Sequence, residues 1–168
     1  MHIQWFPGHM TRAVRMMEEQ VKLCDGIVMV LDARAPFACL NPKLDGVFGA
    51  KPVVYAINKV DLADEQKLKS VISEFKSQGK NVVAVVGTQD KSRKALYEEI
   101  KKALLPVIEK RKAKGVNKAL RIMVAGIPNT GKSTLINLLS GGKKAKTGDK
   151  AGVTKDKQWI KVSDLELL

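Results

Sequence analysis

The run Gly-Ile-Pro-Asn-Thr-Gly-Lys-Ser at residues 126–133 constrains the fold more than any other feature of this sequence. It matches the pattern G-x-x-x-x-G-K-[ST], in which a glycine-rich turn between a strand and a helix surrounds a phosphate group with backbone N–H donors. An apolar stretch at residues 121–125 precedes the run, and a helical pattern begins at Lys132. Because strand, turn and helix occur together, we predict a phosphate-binding loop rather than an accidental glycine turn.

The polar residues of this loop have expected roles. Lys132 is expected to place its ammonium group beside the terminal phosphates, and Ser133 to bind Mg²⁺ through its hydroxyl. The N-terminus of the following helix adds backbone N–H groups that favour an anion. Neighbouring residues complete the predicted nucleotide-binding set, namely Asn129, Thr130, Gly131 and Thr134.

A second motif, Asn-Lys-Val-Asp at residues 58–61, follows an apolar stretch at residues 53–57. It resembles the N-K-x-D motif of GTPases, which assigns Asn58, Lys59 and Asp61 to guanine recognition. The Asp61 carboxylate can accept hydrogen bonds from both the ring N–H and the exocyclic amine of guanine, whereas adenine offers no such pair of donors on that edge. A buried acceptor left unpaired costs about 1–3 kcal/mol, so we expect GTP and GDP to bind and ATP to be rejected.

Gly87 and Thr88 follow a third apolar stretch, at residues 82–86. GTPases place a loop that touches the guanine carbonyl at this point, after the strand that follows the base-reading motif. The serine–alanine pair usual in that loop is absent here. The position nevertheless adds both residues to the predicted nucleotide-binding set.

Alternating strand and helix patterns predict an α/β fold of the P-loop NTPase type, with a mostly parallel sheet covered by helices on both faces. Apolar, β-branched runs indicate four buried strands, at residues 27–31, 53–57, 82–86 and 121–125. Helical spacing of apolar residues lies between and after them, at residues 11–23, 64–76, 92–105 and 132–139. Two further short strands, joined by a tight turn, are expected at residues 158–162 and 165–168.

Three local features refine this prediction. Thr11 is expected to cap the N-terminus of the first helix. Pro106 should end or kink the third helix, because proline lacks a backbone N–H and collides with the preceding turn. Residues 110–118 contain few apolar side chains and include Gly115, so we expect a connector there.

The base-reading motif precedes the phosphate loop, which reverses the order found in ordinary GTPases. The same sheet can form if the old chain ends are joined and a new break is made elsewhere. The expected connector at residues 110–118 is where that join would lie. The sequence therefore predicts a GTPase domain in circularly permuted order.

Further segments extend the resemblance over essentially the whole chain. They are Trp-Phe-Pro-Gly-His-Met at residues 5–10, Leu-Asp-Ala-Arg-Ala-Pro at residues 31–36, and Asn-Pro at residues 41–42. In this succession, together with the two nucleotide motifs, the sequence resembles circularly permuted GTPases of the YlqF/RbgA type, which assist assembly of the large ribosomal subunit. The resemblance implies hydrolysis of GTP to GDP and phosphate.

The resemblance also implies catalytic roles beyond that of Lys132. Residues 152–154 match the end of the switch motif P-G-x-T, with Ala151 in place of the proline, and Thr154 would then close over Mg²⁺ and the γ-phosphate. His9 would position the attacking water, although the segment around it also fits a purely anchoring turn. Asn129 lies where related GTPases hold K⁺, and a structural loop asparagine is the alternative.

Net charge bears on the partner. The chain carries 30 basic and 17 acidic residues, a formal net charge of +13, and the basic residues concentrate at residues 109–121 and 143–161. Such clusters attract phosphate backbones, so we expect contact with ribosomal RNA of the large subunit. The alternatives are a solvated basic surface and lysines that serve only the nucleotide.

Other features set expectations about location and class. The apolar runs are shorter than the roughly 20 residues of a membrane span. Cys24 and Cys39 provide no disulfide framework. We therefore expect a cytoplasmic, monomeric protein without membrane or DNA partners. The base-reading motif argues against an ATP-dependent kinase or ATPase, and the charge fits a signalling GTPase poorly. An RNA-binding module with a mainly structural guanine-nucleotide site remains the alternative.

We expect residues 1–168 to form one circularly permuted GTPase domain that is incomplete at its C-terminal end. Members of the resembled family continue with a D-T-P-G motif and a C-terminal helical domain that contacts RNA or the ribosome, and both are absent from this sequence. Nucleotide binding should survive that absence. Its effect on hydrolysis and switching is left open by the sequence.

Overall fold

A computed structural model describes residues 7–141, 160–162 and 165–167, with the backbone alone at residues 7–11, 13 and 160–162. The helices of this part of the chain are α1 (Pro7–Val21), α2 (Pro42–Phe48), α3 (Glu65–Ser77), α4 (Asp90–Ala103), α5 (Leu105–Ala113) and α6 (Lys132–Ser140). Its strands are β1 (Gly26–Asp32), β2 (Val53–Asn58), β3 (Asn81–Ala84), β4 (Leu120–Ala125), β5 (Ile160–Val162) and β6 (Leu165–Leu167). Single 3-10 turns occupy Phe37–Cys39 and Val60–Leu62.

The described strands form one sheet in the order β3-β2-β1-β4-β6-β5. Every neighbouring pair is parallel except β5 and β6, which are antiparallel. Parallel neighbours need a crossover connection, which includes α2 between β1 and β2 and α3 between β2 and β3. The expected α/β fold with a mostly parallel sheet is confirmed.

Alternate residues of each strand point to opposite faces of the sheet. Both faces carry apolar side chains, and helices cover both. On one face, Val28 and Val30 pack with Leu96 and Ile100 of α4 and with Leu135 of α6. On the other face, a second cluster includes Ile27, Met29, Leu31, Phe48 and Phe75. Each fully buried side chain of this size contributes about 1.5–3 kcal/mol, so the two clusters fix the sheet from both sides.

The predicted strands at residues 27–31, 53–57 and 121–125 are confirmed within a residue at each end. The third strand ends at Ala84, two residues earlier than predicted. There Val85 still donates to the Ile57 carbonyl, but the Val86 N–H turns to the Ser92 hydroxyl, 2.9 Å away, at the start of α4. That hydrogen bond takes the chain out of the sheet and towards the helix.

The helix predictions are correct in kind, with differences at their ends. Helix α1 begins at Pro7, so Thr11 lies inside the helix and the predicted cap is wrong. Proline is favourable at a first helical position, since its missing N–H would be unsatisfied there anyway. Helix α3 starts after Asp64, whose carboxylate accepts a hydrogen bond from the backbone of Lys67, as an N-cap should.

Two helices differ from the prediction. Helix α2 was not predicted, although Asn41 caps it and Pro42 opens it. The expected connector at residues 110–118 is wrong for its first four residues, because α5 continues to Ala113. Helix α4 ends before Pro106, as expected, and Pro106 lies in the first turn of α5, where its ring is tolerated.

The two C-terminal strands confirm the predicted pair. Strand β6 is parallel to β4, and the side chains of Leu165 and Leu167 are fully buried against it. The switch motif with Thr154, and Ala151 beside it, lies outside the described residues. Across the described part of the chain, we find no helix with the length and apolar character needed to span a bilayer.

Candidate nucleotide-binding site

The predicted nucleotide motifs meet at one edge of the sheet. Strands β1, β2 and β4 are parallel neighbours, so their carboxyl ends lie side by side. Asp32 at the end of β1 is in register with Asn58 at the end of β2, and Gly126 follows β4 on the other side of β1. In open α/β sheets this carboxyl edge is where ligands bind.

The phosphate loop has the backbone that its glycines predict. Gly126 has a φ of 155°, Asn129 of 66° and Gly131 of 95°. A Cβ atom on Gly126 would lie 2.7 Å from the carbonyl oxygen of Val30, and one on Gly131 would overlap the Asn58 side chain. Both glycines are therefore required by the close approach of neighbouring groups as well as by their φ angles.

Lys132 is the cation of this loop. Its Nζ donates a 2.7 Å hydrogen bond to the Gly126 carbonyl, which holds the side chain back over the loop. Desolvation by burial lowers the pKa of Lys132, because it disfavours the charged ammonium group. A phosphate anion beside the ammonium group would offset this effect and stabilise the charged form. Ser133 and Thr134 follow in the first turn of α6 and are partly exposed. The arrangement suits a phosphate group at the N-terminus of α6.

Asn58 joins three loops of the site. Its side chain is 3% exposed and donates from Nδ2 to the Thr130 carbonyl at 3.0 Å. Its Oδ1 accepts from the Gly87 N–H at 2.9 Å. The buried amide is therefore satisfied on both sides, and the base-reading loop, the phosphate loop and the loop after β3 form one unit. Thr130 completes the phosphate loop with a 3.0 Å hydrogen bond from its hydroxyl to the Ile127 carbonyl.

Lys59 forms a second connection between the base-reading and phosphate loops. It has a left-handed backbone, with a φ of 64°. Its Nζ donates a 2.6 Å hydrogen bond to the Asn129 carbonyl and lies 3.4 Å from Oδ2 of Asp32. The phosphate loop is thereby held at two successive carbonyls, those of Asn129 and Thr130.

Asp32 is held in turn by Arg34. The guanidinium donates from Nε to Oδ1 at 3.0 Å and from Nη2 to Oδ2 at 2.7 Å. These hydrogen bonds, with a smaller effect of Lys59, hold the pKa of Asp32 well below its usual range, and the pKa of Arg34 is raised in return. Neither residue was among the predicted site residues, although both lie in the segment at 31–36 that carries the family resemblance.

Asp61 and Thr88 are exposed at this edge, beyond the ends of the neighbouring strands β2 and β3. Asp61 lies in the 3-10 turn Val60–Leu62, directly after the two residues that contact the phosphate loop. Its carboxylate is therefore presented to solvent beside the loop, as recognition of a bound base requires.

The remaining predicted residues are not placed by the structure. The backbone of His9 belongs to α1, and the structure does not describe its side chain. Thr154 falls outside it altogether. Among the residues whose side chains are described, no group of three or more His, Cys, Asp or Glu side chains could hold a metal ion. The Ser133 hydroxyl fits Mg²⁺ chemically, because Mg²⁺ at nucleotide sites takes few protein ligands alongside phosphate oxygens and water.

Sequence comparison finds GTPases among the relatives of this chain. Residues 121–168 match the family described as 50S ribosome-binding GTPase. Over 171 aligned residues that include the whole chain, the sequence is 44% identical to ribosome biogenesis GTPase A of Priestia megaterium. It is also 36% identical to the protein of that name from Thermotoga maritima, over 96% of the chain. Over its whole length the chain is therefore similar to ribosome biogenesis GTPase A.

Structural comparison gives the same similarity. The fold matches GNP-bound YlqF from T. maritima with a TM-score of 0.67 at 32% identity, covering 93% of this chain and 55% of the other. GDP-bound YlqF gives a TM-score of 0.65 at 31% identity, with 91% and 55% covered. The chain spans 59% of the length of the P. megaterium relative and 55% of that from T. maritima.

Proposed function

We propose that this chain binds guanine nucleotides and hydrolyses GTP to GDP and phosphate. The observation that carries the proposal is the Asn58 side chain, which connects the base-reading loop to the phosphate loop at Thr130 and to the following loop at Gly87. A nucleotide with its phosphates at residues 126–133 would have its base beside Asp61. The motifs are therefore parts of one binding site.

Hydrolysis by this site would depend on positioning and charge neutralisation. Lys132 would neutralise charge that develops on the phosphate oxygens, and Ser133 would hold Mg²⁺, which would supply further positive charge. Thr154 closes over the γ-phosphate and His9 orients the attacking water. The exposed Asn129 side chain offers a ligand for K⁺, which would take the place of a second cation at the phosphates.

The process we propose for this activity is assembly of the large ribosomal subunit in the cytoplasm. The relatives are named for ribosome biogenesis, and the matching family model is described as 50S ribosome-binding. The net charge of +13 suits a partner rich in phosphate, so ribosomal RNA is the proposed contact for a monomeric chain.

Titration with fluorescent GDP and GTP analogues, competed by ATP and by xanthosine diphosphate, tests the nucleotide site. Wild type should bind guanine nucleotides and ignore ATP. In Asp61→Asn, one charged acceptor is lost, and a hydrogen bond to a charged group contributes about 1.5–3 kcal/mol, so GDP binding should weaken by about 10–100-fold. Xanthine has a carbonyl where guanine has its amine, so the new Asn N–H should improve xanthosine diphosphate binding.

Asp64→Asn is the matched control for this experiment. It removes the same charge three residues away, and asparagine caps a helix as well as aspartate does, so GDP binding should be unchanged. If ATP competes equally with GDP, or Asp61→Asn behaves like the control, the guanine site is wrong. Phosphate release with K⁺ and with Na⁺, in wild type and Lys132→Ala, then tests hydrolysis separately.

A further inference from the structure

Four exposed lysines, Lys110, Lys112, Lys114 and Lys118, lie at the edge of the sheet opposite to the nucleotide site; they are called the amino-edge lysines below. Their position follows from Arg111, which lies among them. Its Nη2 donates a 2.6 Å hydrogen bond to Asp25, the residue before β1, and its Nη1 lies 3.3 Å from the carbonyl of Ala119, the residue before β4. Both strands begin there and end at the nucleotide loops.

The amino-edge lysines are too far from the nucleotide site to serve it. Strand β1 has seven residues, and at about 3.3 Å per residue it separates the two edges by about 20 Å. Charges in water are screened over about 8 Å at physiological ionic strength. One sequence-based alternative, lysines that act only on the nucleotide, therefore does not apply to this cluster.

Local acidic groups do not neutralise the cluster either. Asp25 is paired with Arg111, whose Nη2 lies 2.6 Å away, and Glu166 with Arg121, whose Nε lies 3.0 Å away. In the part of the chain that is described, none of the amino-edge lysines forms an ion pair. Glu109 is the one acidic residue between positions 109 and 121. A net positive charge therefore remains on this segment, carried by long and exposed side chains.

We propose that the amino-edge lysines form a docking surface for the phosphate backbone of RNA. The identity of the partner rests on the proposed function, and the phosphate chemistry rests on the charge of the surface. Lysine suits this role because it offers a point charge to phosphates without reading a sequence. A membrane surface is disfavoured, since the exposed apolar residues Leu105 and Val116 lie at opposite ends of the segment and form no continuous apolar face.

The test measures binding of a fluorescein-labelled RNA hairpin to the whole chain across a series of salt concentrations. One variant changes all four amino-edge lysines to glutamine. A control variant changes four exposed lysines of α3 and α4 to glutamine, namely Lys67, Lys69, Lys76 and Lys94, and so removes the same net charge. GDP binding is measured in parallel for all three proteins and should be equal, because both sets lie outside the nucleotide loops.

If each lysine neutralises one phosphate, the slope of log affinity against log salt should fall by about 3 in the first variant. Wild type would then lose about 60-fold more affinity than that variant between about 50 and about 200 mM salt. The control should keep the wild-type slope. An unchanged slope in the first variant, or an equal loss in the control, overturns the proposal, as does lost binding to phosphatidylserine vesicles with RNA binding intact. Failure of wild type to bind GDP would instead count against the proposed function.

Discussion

Asp32→Asn tests how the base-reading loop controls the phosphate loop. The substitution keeps the size of the side chain and removes its charge. The Asp32 carboxylate lies 3.4 Å from Lys59 Nζ, and that ammonium group holds the Asn129 carbonyl at 2.6 Å. Asp32 reaches the phosphate loop through Lys59, so it acts as a positioning residue.

The size of the effect follows from these distances. A hydrogen bond to a charged group contributes about 1.5–3 kcal/mol, and 3.4 Å is long for such a bond, so the lower end applies. About 1.4 kcal/mol corresponds to a tenfold change in dissociation constant, and we expect Asp32→Asn to weaken GDP binding about tenfold. The Arg34 side chain is 54% exposed, so its pair with Asp32 adds at most about 1 kcal/mol to stability, and Tm should fall by only about 2–4 °C.

The assay is dissociation of a fluorescent GDP analogue after mixing with excess GDP, in wild type, Asp32→Asn, Lys59→Met and the double variant. If Asp32 acts through Lys59, the double variant should release nucleotide no faster than Lys59→Met alone. Equal acceleration by Asp32→Asn in both backgrounds would refute this path. So would an unchanged release rate in the single variant.

The pH dependence provides a second check on Asp32. Its pKa in the folded chain is depressed, so its stabilising contribution is present above the ordinary value of about 3.9 and is lost as pH falls towards the lower folded pKa. The ratio of GDP affinities between wild type and Asp32→Asn should therefore stay constant from about pH 8 down to about pH 5. A ratio that shrinks within this range would mean that the pKa of the Asp32 carboxylate is raised, not depressed.

Two further substitutions test the frame of the site. Gly131→Ala places a methyl group against the Asn58 amide at a φ of 95°, so GDP binding should fall below detection, as measured by titration, while Gly79→Ala at an open position with a φ of 73° should bind normally. Arg111→Met leaves the mostly buried Asp25 carboxylate without its charged partner, and chemical denaturation should show a loss of about 1–3 kcal/mol with GDP affinity unchanged. Normal GDP binding by Gly131→Ala, or unaltered stability of Arg111→Met, would contradict the corresponding contact.

The parts of the site that the sequence predicted are those encoded by adjacent residues. The phosphate loop combines a strand, two glycines and a helix start within residues 121–139, and the structure places each where the pattern predicts. The base-reading motif was equally visible. Its contacts were not, because Asn58 and Thr130 are 72 positions apart and meet only when β1 lies between β2 and β4.

Asp32 shows the same limit. A strand that ends at Asp32, followed by Ala33 and Arg34, gives no sign that the carboxylate will face Lys59, since that depends on the register of β1 with β2. The connector prediction failed for a related reason. The composition of residues 110–113 predicts exposure to solvent. In the structure, however, Val107 and Ile108 pack one side of α5 against the core, and Arg111 binds Asp25 just before β1. Composition describes the outer side of such a helix and misses the inner one.

The hydrogen bonds of Asn58 and Lys59 have a consequence for the continuity of the chain. The base-reading loop precedes α5 and the phosphate loop follows it, so a nucleotide bound to both loops would touch lengths of chain on either side of α5. If the backbone were cut in the exposed stretch around Gly115, nucleotide would act as a reversible tether between the two fragments. At a hundredfold excess over its dissociation constant, it would favour their association by about 2.7 kcal/mol. In such a cut domain, nucleotide binding and the association of the two fragments would be linked equilibria, each favouring the other.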